Sequence, residues 1–120
     1  MPTTWFAEAH AATGGRTWVY DLAWISPGLG AGHGLDIPLV FGNHSNGFAA
    51  RFLGSSPPDG FLPLSDRMRC SWTAFAATGD PGWPCYEPVL RRTRIWDTPI
   101  YETDDPLATS RQIWQRHPPR

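Results

Sequence analysis

The sequence predicts an α/β architecture on three observations. Residues 16–24 read as a strand that is apolar on both faces, the pattern of a sheet covered on both sides. Residues 64–78 carry an amphipathic helix of several turns. Between them, the glycine-rich loop Ser26-Pro27-Gly28-Leu29-Gly30-Ala31-Gly32 leads straight to His33. Loops hung from a rigid sheet are where reactive side chains tend to be presented.

The elements follow in order. Residues 3–13 predict a short helix, with Thr3 or Thr4 as its cap and Gly14-Gly15 as its end. In the strand, Trp18, Tyr20, Leu22 and Trp24 alternate and share one face. Residues 35–41 are apolar apart from Asp36, and Pro38 is expected to interrupt any helix or central strand there. Residues 43–62 are rich in turn residues, with one short helix around Phe48 to Leu53. The helix 64–78 places Leu64, Met68, Trp72 and Phe75/Ala76 on one face. Ser65 is read as its cap, Asp66 lies in its first turn, and Gly79-Asp80-Pro81 ends it. Arg94-Ile95-Trp96 is a short strand candidate. Asp105-Pro106 starts a last helix with Leu107, Ser110/Arg111 and Trp114 on one face, and the tail from His117 is expected to fray.

Composition narrows the function classes. The 120 residues are 41% hydrophobic and 13% aromatic, with seven Trp, too apolar for a disordered chain. One domain spanning residues 1–120 is expected, with no repeat and no dividing linker. Net charge is −1 and lysine is absent, so no basic field invites nucleic acid or a membrane surface. No stretch approaches the roughly 20 apolar residues of a membrane span. Met1-Pro2-Thr3-Thr4-Trp5 lacks the start of a signal peptide, which makes a soluble, cytoplasmic chain the expectation. Cys70 and Cys85 are then expected to be free thiols, and no Cys/His spacing suits zinc, so neither metal nor cofactor is expected.

Three segments resemble type-B carboxylesterases, the α/β-hydrolase family that includes bacterial para-nitrobenzyl esterases and the cholinesterases. Trp18-Val19-Tyr20-Asp21-Leu22 is similar to the family's late sheet strand. Gly30-Ala31-Gly32-His33-Gly34-Leu35-Asp36-Ile37-Pro38-Leu39-Val40-Phe41-Gly42 looks like its catalytic-histidine segment. Ser65-Asp66 through Trp72, Phe75-Ala76, Thr78-Gly79-Asp80-Pro81 and Trp83-Pro84 resemble its long C-terminal helix and the loop after it. The family usually has Glu where Asp36 stands and Leu where Ile37 stands, swaps that keep charge and bulk.

The resemblance implies the C-terminal portion of an α/β-hydrolase fold, incomplete, with His33 as the triad histidine. On this fold the order is Ser, then the acid, then His, and the nucleophile sits in a Gly-x-Ser-x-Gly elbow. Ser26, Ser45, Ser55, Ser56, Ser65, Ser71 and Ser110 all lack the flanking glycines. The complete enzyme would hydrolyse carboxylic esters through Ser acylation, whereas this chain alone is expected to be inactive. Its expected partners are a separately encoded N-terminal half or a second copy of itself. The alternative is a non-catalytic interaction module that pairs in the same ways.

Other candidates take plainer roles. Asp36 and Asp21 are read as structural hydrogen-bonding or ion-pairing groups, since the family's triad acid lies far upstream. His10, His44 and His117 are read as solvated histidines, and Cys70 and Cys85 as small packing residues. The tryptophans are assigned to core packing. In the parent fold several would face elements absent from these residues, which predicts exposed apolar patches.

Overall fold

The computed structural model describes residues 2–116. It contains five helices, α1 (Pro2–Ala12), α2 (Asp36–Phe41), α3 (Gly47–Leu53), α4 (Phe61–Thr78) and α5 (Ala108–Gln115). Three strands, β1 (Tyr20–Leu22), β2 (Arg92–Trp96) and β3 (Tyr101–Asp104), pair in the order β1-β2-β3. The chain divides into two compact units whose segments interleave, so no single linker separates them. One unit comprises residues 1–20, 84–94 and 102–120; the other, 21–83 and 95–101. His117 and the tail lie outside the described residues.

The first unit is held by charge and by a few apolar anchors. Helix α1 buries only Ala7 and ends where Gly14 takes φ +84°, with its N–H donating to Ala11 O. Trp5 meets Trp114 of α5 edge to face at 6.3 Å. Arg91 donates to Glu8 at 2.9 Å, and Arg111 donates to Asp105 at 2.5 Å. Along the strands, Arg92 pairs with Asp104 and Arg94 with Glu102. Both steps are two residues, so the two pairs stand on one face of the β2–β3 hairpin. Helix α5 begins two residues after its expected start: Pro106 and Leu107 form a turn, and Ala108 N–H donates to Asp105 O.

The second unit carries the apolar core. Leu35, Leu39, Phe61, Leu64, Met68 and Trp96 are all at most 1% exposed. Burying each such side chain contributes about 1.5–3 kcal/mol. Trp96 lies between Trp72 and Trp83, at 6.0 and 5.8 Å between centroids.

Several expectations need correction. The strand expected over 16–24 is regular only at Tyr20–Leu22. Beyond it, Ala23 and Trp24 N–H both donate to the one carbonyl of Trp96, which breaks the alternation of a ladder. Tyr20 is 38% exposed, so the strand is not covered on both sides. Pro38 does not interrupt a helix; it stands third in α2, among the first N–H groups that have no intrahelical acceptor. Pro63 is also third, in α4, which starts one turn earlier than expected, after Gly60 (φ +85°). Ser65 is therefore not its cap but a buried residue one turn inside. The end of α4 is as expected, with Gly79 left-handed at φ +73° and donating to Phe75 O. On its apolar face Leu64 and Met68 are buried, but Phe75 is 50% exposed.

Candidate functional site

His33 belongs to the second unit and stands on the turn Gly32–Leu35, closed by Leu35 N–H to Gly32 O at 3.2 Å. Leu35 is fully buried and His33 is exposed. The turn therefore drives an apolar anchor inward and leaves the imidazole outward.

The turn is held from both sides. Upstream, Ser26 and Gly30 exchange backbone hydrogen bonds of 3.3 and 3.0 Å, and Ser26 Oγ donates to Gly30 O at 2.9 Å. The tip of that loop docks on α3 through Gly28 N–H to Phe52 O at 3.0 Å. A Cβ at Gly28 would stand 2.3 Å from Arg51 O, so only glycine permits this approach. Downstream, Ile37 N–H donates to Gly34 O at 3.1 Å and opens α2. Helix α2 packs on α4 and is tied to it by Ser65 Oγ, which donates to Leu39 O at 2.6 Å.

An exposed imidazole on a fixed turn can take and return a proton. The unit offers it no buried serine nucleophile, because Ser26 and Ser65 both donate their hydroxyls to backbone carbonyls. No hydrogen bond or ion pair to Asp36 or Asp21 is found among the described residues, so neither makes the contact expected of it. Asp36 instead places a carboxylate in the first turn of α2, where negative charge is favoured.

The other sequence candidates are spread over the chain. His10 is exposed but not merely solvated: its ring bonds the Thr17 hydroxyl at 2.7 Å and stacks on Phe6. His44 is half-buried, edge-on to Phe61 at 5.9 Å. Cys70 and Cys85 are free thiols, as expected, but both are exposed and not packing residues. Cys85 Sγ contacts Thr17 O at 3.2 Å. Among the described residues no group of three or more His, Cys, Asp and Glu could hold a metal. No helix among them is long and apolar enough to cross a membrane.

The shifted ionisations lie in the other unit. The Arg92 hydrogen bond holds the Asp104 carboxyl below its ordinary value, and the Asp105 hydrogen bond raises Arg111. Burial, then the nearby Glu8 carboxylate, pushes the Tyr86 phenol up. These shifts belong to structural ion pairs and to packing.

Sequence reasoning singled out His33 through its motif, and the structure places it, exposed, on a turn. It missed what holds the turn, namely Ser26, Gly28 and Ser65. The signal for α2 and for the true start of α4 was available. In both helices a proline stands third, a position where it is tolerated.

Known proteins share this sequence and backbone. The chain is 32% identical over 114 residues to the para-nitrobenzyl esterase of Bacillus subtilis (strain 168), covering 88% of this chain and 22% of that protein. It is 34% identical over 99 residues to a probable N-octanoylanthranilate hydrolase of Rhodococcus erythropolis, covering 78% and 22%. Among solved structures, the Geobacillus stearothermophilus carboxylesterase EST55 superposes with a TM-score of 0.77 at 31% identity, covering 91% of this chain and 24% of that one. No family model matches the chain. The shared backbone defines a partial α/β-hydrolase fold. Within that class, and over the stretch it spans, the chain matches para-nitrobenzyl esterase and carboxylesterases, consistent with a type-B carboxylesterase-like fragment. It spans about a fifth of the length of the curated relatives it matches.

Proposed function

We propose that the chain is the C-terminal, histidine-bearing segment of a carboxylic-ester hydrolase, with His33 as its general base and acid. In the complete enzyme His33 takes the proton of a serine hydroxyl as that oxygen attacks the ester carbonyl. It then gives the proton to the departing alcohol. Water, activated in the same way, hydrolyses the acyl-enzyme. Serine and triad acid come from a segment outside these 120 residues, which contain no Gly-x-Ser-x-Gly.

The observation that carries this reading is the exposed His33 on a turn anchored on both sides, in a chain related to esterases. The test is hydrolysis of para-nitrophenyl acetate by the purified chain. The expected rate is that of buffer with an unrelated protein. Turnover above that rate which disappears in His33→Ala would contradict the claim that the chain needs a nucleophile from elsewhere.

A second reading, an interaction module without catalysis, is favoured by one observation. Ile25 and Phe41, on either side of the His33 turn in sequence, are each 75% exposed. Such a module pairs with itself or with a separately encoded N-terminal half. Light scattering on the eluted chain separates the cases: a compact monomer at all concentrations argues against self-pairing.

A further inference from the structure

We propose that Ser65, on α4, is a positioning residue that holds the turn carrying His33; this rests on the reading of His33 as the esterase base. Helix α2 is weak on its own. It has six residues, against roughly 12–15 for a helix that persists unaided. Its cap position, Leu35, makes no side-chain cap hydrogen bond, and Pro38 has no N–H to contribute. Helix α2 must therefore be held from outside.

Burial of Leu35, Pro38 and Leu39 supplies part of that hold but is not directional. The directional part is Ser65 Oγ donating to Leu39 O at 2.6 Å, across 26 residues of sequence. It is the one side-chain hydrogen bond that reaches α2 among the described residues. Other hydroxyls of α4 behave differently. Thr73 and Thr78 donate back to carbonyls four residues earlier, Arg69 O and Ala74 O, at 2.9 and 2.8 Å. That is the usual habit of a hydroxyl inside a helix. Ser65, 1% exposed, turns away from its own helix and spends its donor on the neighbour.

Leu39 O also accepts Gly42 N–H, but at 3.3 Å. From Leu39 the restraint runs through α2 to Ile37 N–H on Gly34 O, and so into the Gly32–Leu35 turn. The Ser26–Gly30 loop fixes the other end. With Ser65 removed, the downstream end keeps its backbone bonds and apolar burial but loses its one side-chain hydrogen bond to α4.

The experiment is nuclear magnetic resonance on the full chain, comparing the unaltered protein with Ser65→Ala and Ser65→Thr. Backbone order parameters of residues 32–36 and the His33 imidazole resonances are read together. Order near 0.85 is expected in the unaltered chain, falling below about 0.6 in Ser65→Ala, with the His33 ring resonances moving to averaged values. Ser65→Thr, which keeps the hydroxyl, is expected to restore both. Should Ser65→Ala fail to fold, Ser65→Cys, similar in size with a weak donor, is read the same way. The proposal is overturned if the turn is already mobile in the unaltered chain. It is also overturned if loss of the hydroxyl disturbs only Leu39–Gly42 while the turn and the His33 ring stay unchanged. Neither readout depends on turnover, so a failure here leaves the catalytic reading of His33 standing, and the reverse holds as well.

Discussion

His33 and Leu35 lie two residues apart on one turn, one exposed and the other fully buried, and this contrast defines the site. Its supports are single groups whose loss has a calculable cost. Ser65→Ala leaves a buried carbonyl with one weaker donor and is expected to cost about 1–3 kcal/mol in urea unfolding. Gly28→Ala drives a methyl into Arg51 O and is expected to cost a similar amount, about 1–3 kcal/mol, in the same assay. His33→Ala, exposed and unbonded among the described residues, is expected to change stability by less than about 0.5 kcal/mol. The turn carrying His33 was legible as an irregular, glycine-rich segment because glycine spacing is a local signal. Ser65 was misread as a cap because a serine followed by an acid is a common helix start. Only the packing of α2 on α4 shows where its hydroxyl goes.

Among the elements, α4 shows how far a pattern can be trusted. Its apolar face was read correctly only in the N-terminal half, where Leu64 and Met68 are buried. Leu64→Ala or Met68→Ala is expected to cost about 2–5 kcal/mol. Phe75→Ala, at a half-exposed position on the same face, is expected to cost far less. Measuring the three by urea unfolding tests whether periodicity or burial decides. Strand β3, Tyr-Glu-Thr-Asp, escaped sequence reading because its residues are polar. Its partners are visible only across the hairpin, as Arg92–Asp104 and Arg94–Glu102. The first pair predicts a pH effect. Asp104 has a lowered folded pKa, from its hydrogen bond with Arg92. Its contribution is therefore present above the unfolded carboxyl value of about 4 and is lost as pH falls through the folded value. Because the pair is exposed, the effect is small, and it weakens further with salt. Unfolding midpoints at successive pH values should show the unaltered chain losing this advantage over Asp104→Asn as acid is added.

For the whole chain, the expectation was of exposed apolar patches, and the structure shows individual large apolar side chains in solvent. Ile25, Phe41 and Leu29 in the second unit, and Phe6 and Val89 in the first, are all more than half exposed. Such side chains stand singly on many monomers, and they drive association where they lie together as a patch. The purified chain is therefore expected to show a mass above 13.4 kDa in light scattering at raised concentration, and Phe41→Ser should reduce it. The same exposure fits a chain that spans about a fifth of its relatives' length. The claim that joins these scales is that this chain carries an esterase's histidine and lacks its nucleophile. The most direct test replaces the matching segment of the Bacillus subtilis para-nitrobenzyl esterase with this chain and measures para-nitrophenyl acetate hydrolysis per titrated serine. The account predicts turnover in the hybrid that falls about 10⁴-fold or more in His33→Ala. A folded hybrid whose turnover survives His33→Ala would contradict it.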